Sequence, residues 1–382
     1  MSSFAPRLSS FASATWSLIF PITFAALAAT SAAATSGIAG PPKIKWHPGH
    51  YIFVGHGDIR DELIRMPQFR GIQRCYTWSK LEPERGHYDF SVIRQDLARL
   101  EPQGKRLVVQ IQYKAFGKDA RCVPAYLQGR EYGGGVYRAS SGSWNPVCWN
   151  DRVCERMEAL FAALGREFDQ HPAIEAAVLP ETAPSAQLEK FPQPGVEAFT
   201  TERYVAALKR HMLALRHAFP HTAVIQYANF PQSALPELTR YMKEIGVGLG
   251  GPDVYPRPSN LSDPEKGIYR LYAPLAGTVP LGAAVQSPDY SVASWKRTAA
   301  FNRGQDRASV VVTAEEQKQI PPREHLQLAR EKLKLNYLFW SASPKECLTN
   351  VAAMLAEPDL ATDPGGGLDA RRPARVHLPE FR

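Results

Sequence analysis

Residues 174–185 read IEAAVLPETAPS, and this stretch decides how the rest of the chain is interpreted. A short apolar run ends at Pro180, and a single carboxylate, Glu181, follows it. An apolar run of this length that is bounded by proline is typical of a buried strand. In parallel barrels the functional groups lie at the carboxyl ends of such strands. The stretch therefore predicts a buried parallel strand that presents Glu181 at one end of a barrel.

Strand-like and helix-like stretches alternate along the chain on both sides of this segment. Eight stretches have the apolar and β-branched composition of strands: residues 50–55, 71–78, 106–113, 174–179, 222–227, 246–255, 279–286 and 335–340. Helical spacing of apolar residues marks residues 90–100, 153–168, 204–219, 235–245 and 313–334. Thr313 and Glu316 open the last of these with the spacing of a capping box. The alternation predicts an α/β protein with a (β/α)8 barrel, and a doubly wound sheet is the alternative.

The predicted barrel spans residues 44–355. Three segments have a composition of their own: one precedes the barrel, one lies within it and one follows it. Residues 1–35 combine Arg7, an apolar run and small residues, which is typical of a cleaved signal peptide and predicts a secreted or periplasmic protein. The apolar run is short for a membrane span of ~20 residues, so we expect no stable span after cleavage. Residues 115–150 are rich in glycine, aromatics and cysteine and predict a long ordered loop after the third strand. Residues 356–382 are rich in proline, glycine and arginine and predict a poorly ordered tail.

Charge and cysteine spacing argue against some kinds of site. The net charge is +8 at pH 7, but no block of Lys and Arg marks a nucleic-acid arm, so no nucleic-acid partner is expected. The five cysteines lack the CxxC and Cys/His spacings of zinc and redox sites, so neither a metal nor an organic cofactor is expected. An exported chain can form disulfides. Cys122 with Cys148 is the preferred pair, and Cys148 with Cys154 is the alternative.

Residues 76–90 read YTWSKLEPERGHYDF, and this motif resembles TIM-barrel glycoside hydrolases of the β-galactosidase and cellulase-like type. The pattern W-x-x-L-E-P-x-x-G-x-Y-D-F follows the predicted second strand. In that family it forms a turn beside the cleft, which implies architectural roles for Glu82, Pro83 and Tyr88. The resemblance covers most of residues 46–348. It implies an enzyme that hydrolyses glycosidic bonds, with a carbohydrate as its substrate.

The same resemblance implies roles for particular carboxyl groups. In retaining members a Glu at the end of the fourth strand is the general acid/base, and Glu181 matches it in position. Pro180 stands where an Asn usually precedes that Glu. The nucleophile of the family is a Glu at the end of the seventh strand, and Gln286 stands there instead. An amide cannot form the glycosyl ester that a carboxylate forms.

The sequence leaves several interpretations of Gln286 open. In the first, the second carboxylate is Asp253, at the end of the sixth strand, or Asp289, and Asp253 is preferred. In the second, the substrate supplies its own nucleophile and Gln286 orients it. In the third, the barrel has lost hydrolysis and only binds glycans of the cell envelope. In the fourth, the seventh strand is misplaced, and Glu315 or Glu316 is the partner. A barrel enzyme of another chemistry, such as a lyase or esterase, is a further alternative, although no Gly-x-Ser-x-Gly elbow is present.

Aromatic and amide side chains recur at the predicted carboxyl ends of several strands. Flat aromatic faces pack against sugar rings, and phenol and amide groups hydrogen-bond to sugar hydroxyls. Trp340 on the eighth strand resembles the Trp beneath the sugar in this family and is the preferred binding residue. The full predicted set is Trp340, Tyr227, Asn229, Gln286, Tyr255, Tyr113, Trp78 and Tyr290. Trp144, Trp149 and His56 are further candidates for contacts with the ligand.

Overall fold

The computed structural model describes residues 44–139, 141–184 and 193–376. Its strands are β1 (Gly49–Phe53), β2 (Gly71–Thr77), β3 (Arg106–Gln112), β4 (Val136–Arg138), β5 (Trp144–Pro146), β6 (Ile174–Leu179), β7 (Ala223–Tyr227), β8 (Gly248–Gly251), β9 (Leu281–Val285) and β10 (Tyr337–Ser341). In this part of the chain eight parallel strands close into a barrel in the order β1-β2-β3-β6-β7-β8-β9-β10, and β4 and β5 form a separate hairpin in the loop after β3. The predicted (β/α)8 barrel is confirmed.

Helices separate the barrel strands along the chain. They are α1 (Asp61–Ile64), α2 (Trp78–Leu81), α3 (Ser91–Leu100), α4 (Asp151–Phe168), α5 (Thr201–Ala218), α6 (Leu235–Ile245), α7 (Val292–Asn302), α8 (Ala314–Gln317), α9 (Pro322–Gln327), α10 (Lys345–Leu355) and α11 (Pro358–Ala361). Single turns of 3-10 helix occur at Glu101–Gln103, Ala125–Gln128, Arg130–Tyr132, Gln232–Ala234, Ile268–Leu271, Ala273–Leu275, Ser287–Tyr290 and Arg307–Ser309, and a π-helical turn at Leu328–Lys332.

The long helix predicted at residues 313–334 is divided into α8, α9 and the π-helical turn. The predicted capping box is present, because Glu316 N–H donates to Thr313 Oγ1 at 3.2 Å and Thr313 N–H donates to Glu316 Oε2 at 3.0 Å. The helix cannot continue through Pro321 and Pro322, which have no N–H to donate. A second helix therefore starts at Pro322.

Alternate side chains of each strand divide between two apolar layers. Tyr51, Ile225 and Phe339 belong to the cluster that fills the barrel interior. Ile52 and Leu338, next to them on the strands, belong to the larger cluster between the barrel and its helices. Since side chains alternate along a strand, the register decides which residues can reach the mouth of the barrel.

The segment after α10 is a packed part of the barrel. Arg375 N–H donates to the carbonyl of Thr278 at 2.7 Å, just before β9 begins. Val376 and Ile44 both join the interior cluster, at the amino end of the strands. Three apolar residues of the segment are buried: Leu360, Leu368 and Val376. The prediction of a poorly ordered tail is wrong for residues 356–376, because Val376 packs in the interior cluster and Leu360 and Leu368 pack in the layer beneath the helices.

The cysteines do not form the predicted disulfide. All five lie among the described residues, and each is free and buried. Cys122 interacts electrostatically with Cys75, and Cys148 with Cys154, so each member of the preferred pair lies beside a different thiol. The predicted signal peptide at residues 1–35 lies outside the described residues. Within them, no helix has the length and apolar character needed to cross a membrane.

Deleting residues 357–382 is expected to lower the free energy of unfolding by ~5 kcal/mol, since burial of each of three apolar side chains contributes roughly 1.5–3 kcal/mol. Denaturant titration followed by circular dichroism measures the change. A shorter deletion of residues 377–382 is the control, because it leaves Val376 in place, and it should unfold like the parent. Equal stability of the two truncated proteins would show that the segment adds nothing to the barrel.

Candidate active site

Glu181 follows β6 at the carboxyl end of the barrel, and the backbone around it is held from below. Lys114, which is 4% exposed, donates from Nζ to the carbonyls of Glu181 at 2.8 Å and Ala183 at 2.9 Å. The same ammonium group contacts the Tyr204 hydroxyl at 2.5 Å, and that hydroxyl donates to the carbonyl of Thr182 at 2.8 Å. A single buried cation from the end of β3 therefore fixes the segment that carries Glu181.

The Glu181 carboxyl group is held by a neighbour on the next strand. Asn229, two residues after β7, donates from Nδ2 to Glu181 Oε2, and its N–H donates to Thr182 Oγ1 at 3.2 Å. Burial raises the pKa of Glu181, while the Asn229 hydrogen bond and the charge of Lys114 act in the opposite direction. Glu181 nevertheless remains partly exposed, so its carboxyl group can meet a ligand.

Asp253 is the second carboxyl group of the site. It follows β8 and is also partly exposed. Burial, and then the negative charge of Glu181, raise the pKa of Asp253 to about 7. Two carboxyl groups that interact in this way titrate as a pair. The structure thus places Asp253 at the barrel mouth within the electrostatic influence of Glu181, and the charge of Glu181 favours the protonated form of Asp253.

The glycines of β8 make room for tyrosines beside Asp253. A Cβ atom on Gly250 would lie 2.5 Å from Cδ1 of Tyr227, and one on Gly251 would lie 2.8 Å from the hydroxyl oxygen of Tyr272. Gly250 requires glycine, because its Cβ would also lie 2.7 Å from the backbone oxygen of Gly282, whereas a Cβ on Gly251 would displace the Tyr272 hydroxyl. Burial raises the pKa of both tyrosines, with the charge of Asp253 as a smaller cause. Tyr227, whose hydroxyl is already hydrogen-bonded inside the barrel, therefore lies beneath the site.

Asp289 and the two glutamates of α8 are not the second carboxylate of the cleft. Asp289 is 0% exposed, and its Oδ2 accepts the N–H groups of Gln286 at 2.8 Å and Val254 at 3.3 Å. β9 ends immediately before Gln286, so the seventh barrel strand is where the sequence placed it. Glu315 and Glu316 lie in the first turn of α8, and that interpretation is wrong. Gln286 itself is partly exposed at the carboxyl end of the barrel.

Trp340, the preferred sugar-binding residue, does not reach the cleft. It is 0% exposed, and its Nε1 donates to Nδ1 of His50 at 2.9 Å. The register pairs Trp340 with Ile52, whose side chain also belongs to the layer beneath the helices. The inward-facing residue at this end of β10 is Phe339. The prediction is wrong because Trp340 stands on the outer side of its strand.

Three more predicted aromatics are also buried away from the cleft. Trp78 is 0% exposed and donates from Nε1 to Glu82 Oε2 at 2.9 Å, which gives both residues the architectural role expected of their motif. Tyr113 is buried beneath the helices, edge-on to His211. Tyr290 is buried, and its hydroxyl donates to the last carbonyl of β10 at 3.1 Å. None of these three rings is open to a ligand.

Tyr255 lies near the site, but another ring covers it. It stacks on Trp295 of α7 with a centroid distance of 4.2 Å and an angle of 8° between the rings. Tyr255 N–H donates to the Tyr269 hydroxyl at 2.8 Å, and that hydroxyl donates to the carbonyl of Asp253 at 3.3 Å. Trp295 is partly exposed, whereas Tyr255 is buried. Sequence reasoning missed Trp295 because no helical pattern pointed to α7.

The loop after β3 also contains one buried and one partly exposed tryptophan. Trp149 is buried and donates from Nε1 to the carbonyl of Glu197 at 3.0 Å. Trp144 is partly exposed, and its ring lies 5.0 Å from the guanidinium of Arg121 and 5.7 Å from that of Arg138. Both tryptophans therefore stabilise the loop through contacts of their own.

The site is defined by converging side chains. Two cavities, of about 740 Å³ between α4 and α5 and about 510 Å³ at the amino end of the barrel, are lined by neither Glu181 nor Asp253. In residues 44–139, 141–184 and 193–376, no three His, Cys, Asp or Glu side chains form a group that could hold a metal ion. The functional groups that the sequence did not indicate are Lys114, Tyr272 and Trp295.

Comparison with known proteins gives a fold but no sequence family. No protein-family model matches the chain, and no curated protein matches it. The structure is similar to the catalytic domain of β-amylase from Paenibacillus polymyxa, with a TM-score of 0.51 and 12% identity over 81% of this chain and 98% of that one. This similarity confirms, for the fold, the resemblance to TIM-barrel glycoside hydrolases.

Two weaker similarities are to enzymes of the same broad class and carry no argument of their own. A β-galactosidase from Marinomonas ef1 gives a TM-score of 0.49 and 10% identity over 84% of this chain and 61% of that one. A GH5_18 protein from Streptomyces cattleya in complex with GlcNAc gives 0.48 and 11% identity over 77% and 70%. At these identities the similarity concerns the fold alone.

Lys114→Met tests the buried cation. Burial lowers the pKa of Lys114 to about 8, so between pH 8 and the ordinary lysine pKa of ~10.4 the unfolded chain binds more protons than the folded protein. Stability due to this group must rise with pH in that window. The unfolding free energy of the parent relative to the variant is expected to rise by about 2 kcal/mol between pH 7 and about 9.5.

Denaturant titrations at several pH values measure this difference. Lys209→Met is the matched control, because Lys209 of α5 pairs with Glu237 at the surface, and it should show no such rise. A flat difference between the parent and Lys114→Met would mean that Lys114 is not a buried cation.

Proposed function

We propose that this protein is a glycoside hydrolase in which Glu181 is the general acid/base and Asp253 is its partner carboxyl group. The observation that supports this most is the convergence of two partly exposed carboxyl groups, both with raised pKa, at the carboxyl end of a (β/α)8 barrel. Carboxyl groups with raised pKa can hold the proton that a leaving sugar oxygen needs at mild pH. That end of the barrel is where enzymes of this fold carry their chemistry.

The surroundings of Glu181 suit proton transfer in both directions. Burial favours the acid form, which protonates the glycosidic oxygen. The Asn229 amide and the nearby Lys114 charge favour the carboxylate that remains after the proton has left. A second carboxyl group, here Asp253, is the partner that glycoside hydrolysis requires. No step in this scheme needs an organic cofactor.

In this proposal a sugar ring of the substrate stacks on the indole of Trp295. Tyr255 stacks on one face of Trp295 and holds the orientation of the indole ring, which leaves the other face for a ligand. The Tyr269 hydroxyl joins the backbone of Tyr255 to that of Asp253, so the stack and the carboxyl group form one unit. Aromatic rings presented in this way pack against the C–H faces of sugars. An exported poly- or oligosaccharide hydrolase is the form of the proposal that the composition of residues 1–35 supports.

A glycan-binding barrel without catalysis is the second candidate. Gln286 supports it, since the related enzymes are expected to carry a carboxylate at this strand end and the amide is partly exposed there. In that case Glu181 and Asp253 would hydrogen-bond sugar hydroxyls. Both candidate functions predict that the protein binds glycans, but only the first predicts that it hydrolyses them.

Glu181→Gln and Asp253→Asn are each expected to lower hydrolysis by ~100-fold or more, because each replaces a titratable group with an amide. Reducing-sugar release from starch, β-glucan, xylan and galactomannan, measured between pH 4 and 9, checks this. Parent activity should fall as pH rises through about 7, because Asp253 loses its proton there and both carboxyl groups are then charged.

Glu315→Gln is the matched control, since Glu315 is an exposed carboxylate of α8 and should leave activity unchanged. If the parent binds these polysaccharides in affinity gels but releases no sugar, the second candidate replaces the first. If it neither binds nor cleaves any of them, both candidates fail.

Trp295→Ala is expected to raise KM about 10-fold, corresponding to the ~1.4 kcal/mol of one stacking contact, with little change in kcat. Phe301→Ala on the same helix is the control, because Phe301 is 38% exposed and lies under Arg307 instead. Initial rates over a range of polysaccharide concentrations separate the two constants. A Trp295→Ala enzyme with the KM of the parent would remove Trp295 from the ligand site.

A further inference from the structure

Asp289 is a buried carboxyl group that joins the ends of two barrel strands. It lies in the 3-10 turn Ser287–Tyr290 and is 0% exposed. Its Oδ2 accepts the N–H of Gln286, at the end of β9, at 2.8 Å and the N–H of Val254, beyond the end of β8, at 3.3 Å. Because Val254 directly follows Asp253, one oxygen atom ties the backbone beside Asp253 to the neighbouring strand.

The second oxygen of Asp289 indicates which form of the acid is present. Oδ1 is buried and has no hydrogen-bond partner within the described residues. An ionised carboxylate would leave charge on a buried, unpaired oxygen, which is costly. A neutral acid fits the contacts better, because its carbonyl oxygen can accept the two N–H groups and its other oxygen carries a proton instead of charge, and an unpaired buried hydroxyl costs less than an unpaired buried charge.

The groups around Asp289 are neutral or negative. Asp253, Tyr255, Tyr269 and Tyr290 interact with it electrostatically. From α9, His325 donates from Nδ1 to the Val254 carbonyl at 2.8 Å, and burial lowers the pKa of His325 to about 4, so this ring is also neutral. Among the described residues, no cation lowers the pKa of Asp289. Burial and the charge of Asp253 raise its pKa well above the usual range.

We propose that Asp289 is a positioning residue: a neutral acid that holds the loop after β8 against the end of β9 and so keeps Asp253 at the barrel mouth. As a neutral group it fixes Asp253 without placing a second negative charge beside it. Glu181 is then the charge that acts on Asp253 across the cleft. The catalytic meaning of this role rests on the proposed function, but the role itself can be tested without any substrate.

The test is a titration of aspartate side chains by 13C NMR on protein labelled at Asp Cγ, with Asp253→Asn and Asp289→Asn used to assign the two signals. In the parent, Asp253 is expected to titrate near pH 7, and Asp289 should still show the chemical shift of an acid after Asp253 has lost its proton. In Asp289→Asn the amide is also neutral, so the Asp253 midpoint should move by less than ~0.3 units. In Asp289→Ala both N–H groups lose their acceptor, and the midpoint should fall by about one unit, a tenfold change.

Three results would overturn the proposal: an Asp289 signal that titrates below pH 6, an Asp253 midpoint that moves as far in Asp289→Asn as in Asp289→Ala, or one that moves in neither. If Asp289→Ala does not fold, the parent and Asp289→Asn titrations still decide whether the acid is neutral. Asp263→Asn, at an exposed turn, is the control and should leave Asp253 unchanged. Titrations as expected in a protein that cleaves no glycan would reject the proposed function while leaving the role of Asp289 intact.

Discussion

The burial of one ammonium group, that of Lys114, is the constraint on which the geometry of the site depends. It draws together two carbonyls of the Glu181 segment and the hydroxyl of Tyr204. Only an ammonium group can donate to three acceptors from one point, so no other side chain could replace it. Its lowered pKa shows that burial desolvates the ammonium group at a cost that the three contacts offset only in part. With the segment fixed in this way, the Glu181 carboxyl group faces Asn229, and its charge acts on Asp253.

The carboxyl groups at this end of the barrel differ in depth, and depth decides their charge. Glu181 and Asp253 are partly exposed, whereas Asp289 is fully buried. In the most buried position a carboxyl group favours its protonated form, and it can still accept hydrogen bonds from the backbone. Gln286 takes part in this arrangement through its backbone, because its N–H is one of the two that donate to Asp289. The end of β9 is therefore held by a buried carboxyl group through the backbone N–H of Gln286.

The sequence predicted the barrel well because apolar runs and helical spacing are local properties. The strand at residues 174–179 was located to the residue, and Glu181 and Asp253 followed from the ends of their strands. Prediction from the sequence failed where the role of a residue depends on contacts with residues that are distant in the chain. Trp340 stands at a strand end on the outer side, and periodicity near a strand end does not show which side faces the mouth. Lys114 gave no signal at all, since its acceptors are more than sixty residues away in the chain.

The packed segment at residues 357–376 has a consequence for how the protein can be handled. Trp46 donates from Nε1 to the carbonyl of Ala370 at 2.9 Å, and Ile44 and Val376 meet in the same cluster at the amino end of the barrel. Both ends of the described chain therefore emerge on the face opposite Glu181. A tether to a resin or a sensor surface, attached at residue 44 or 376, would hold the molecule by the amino end of the barrel and leave the end that carries Glu181 turned toward the solution.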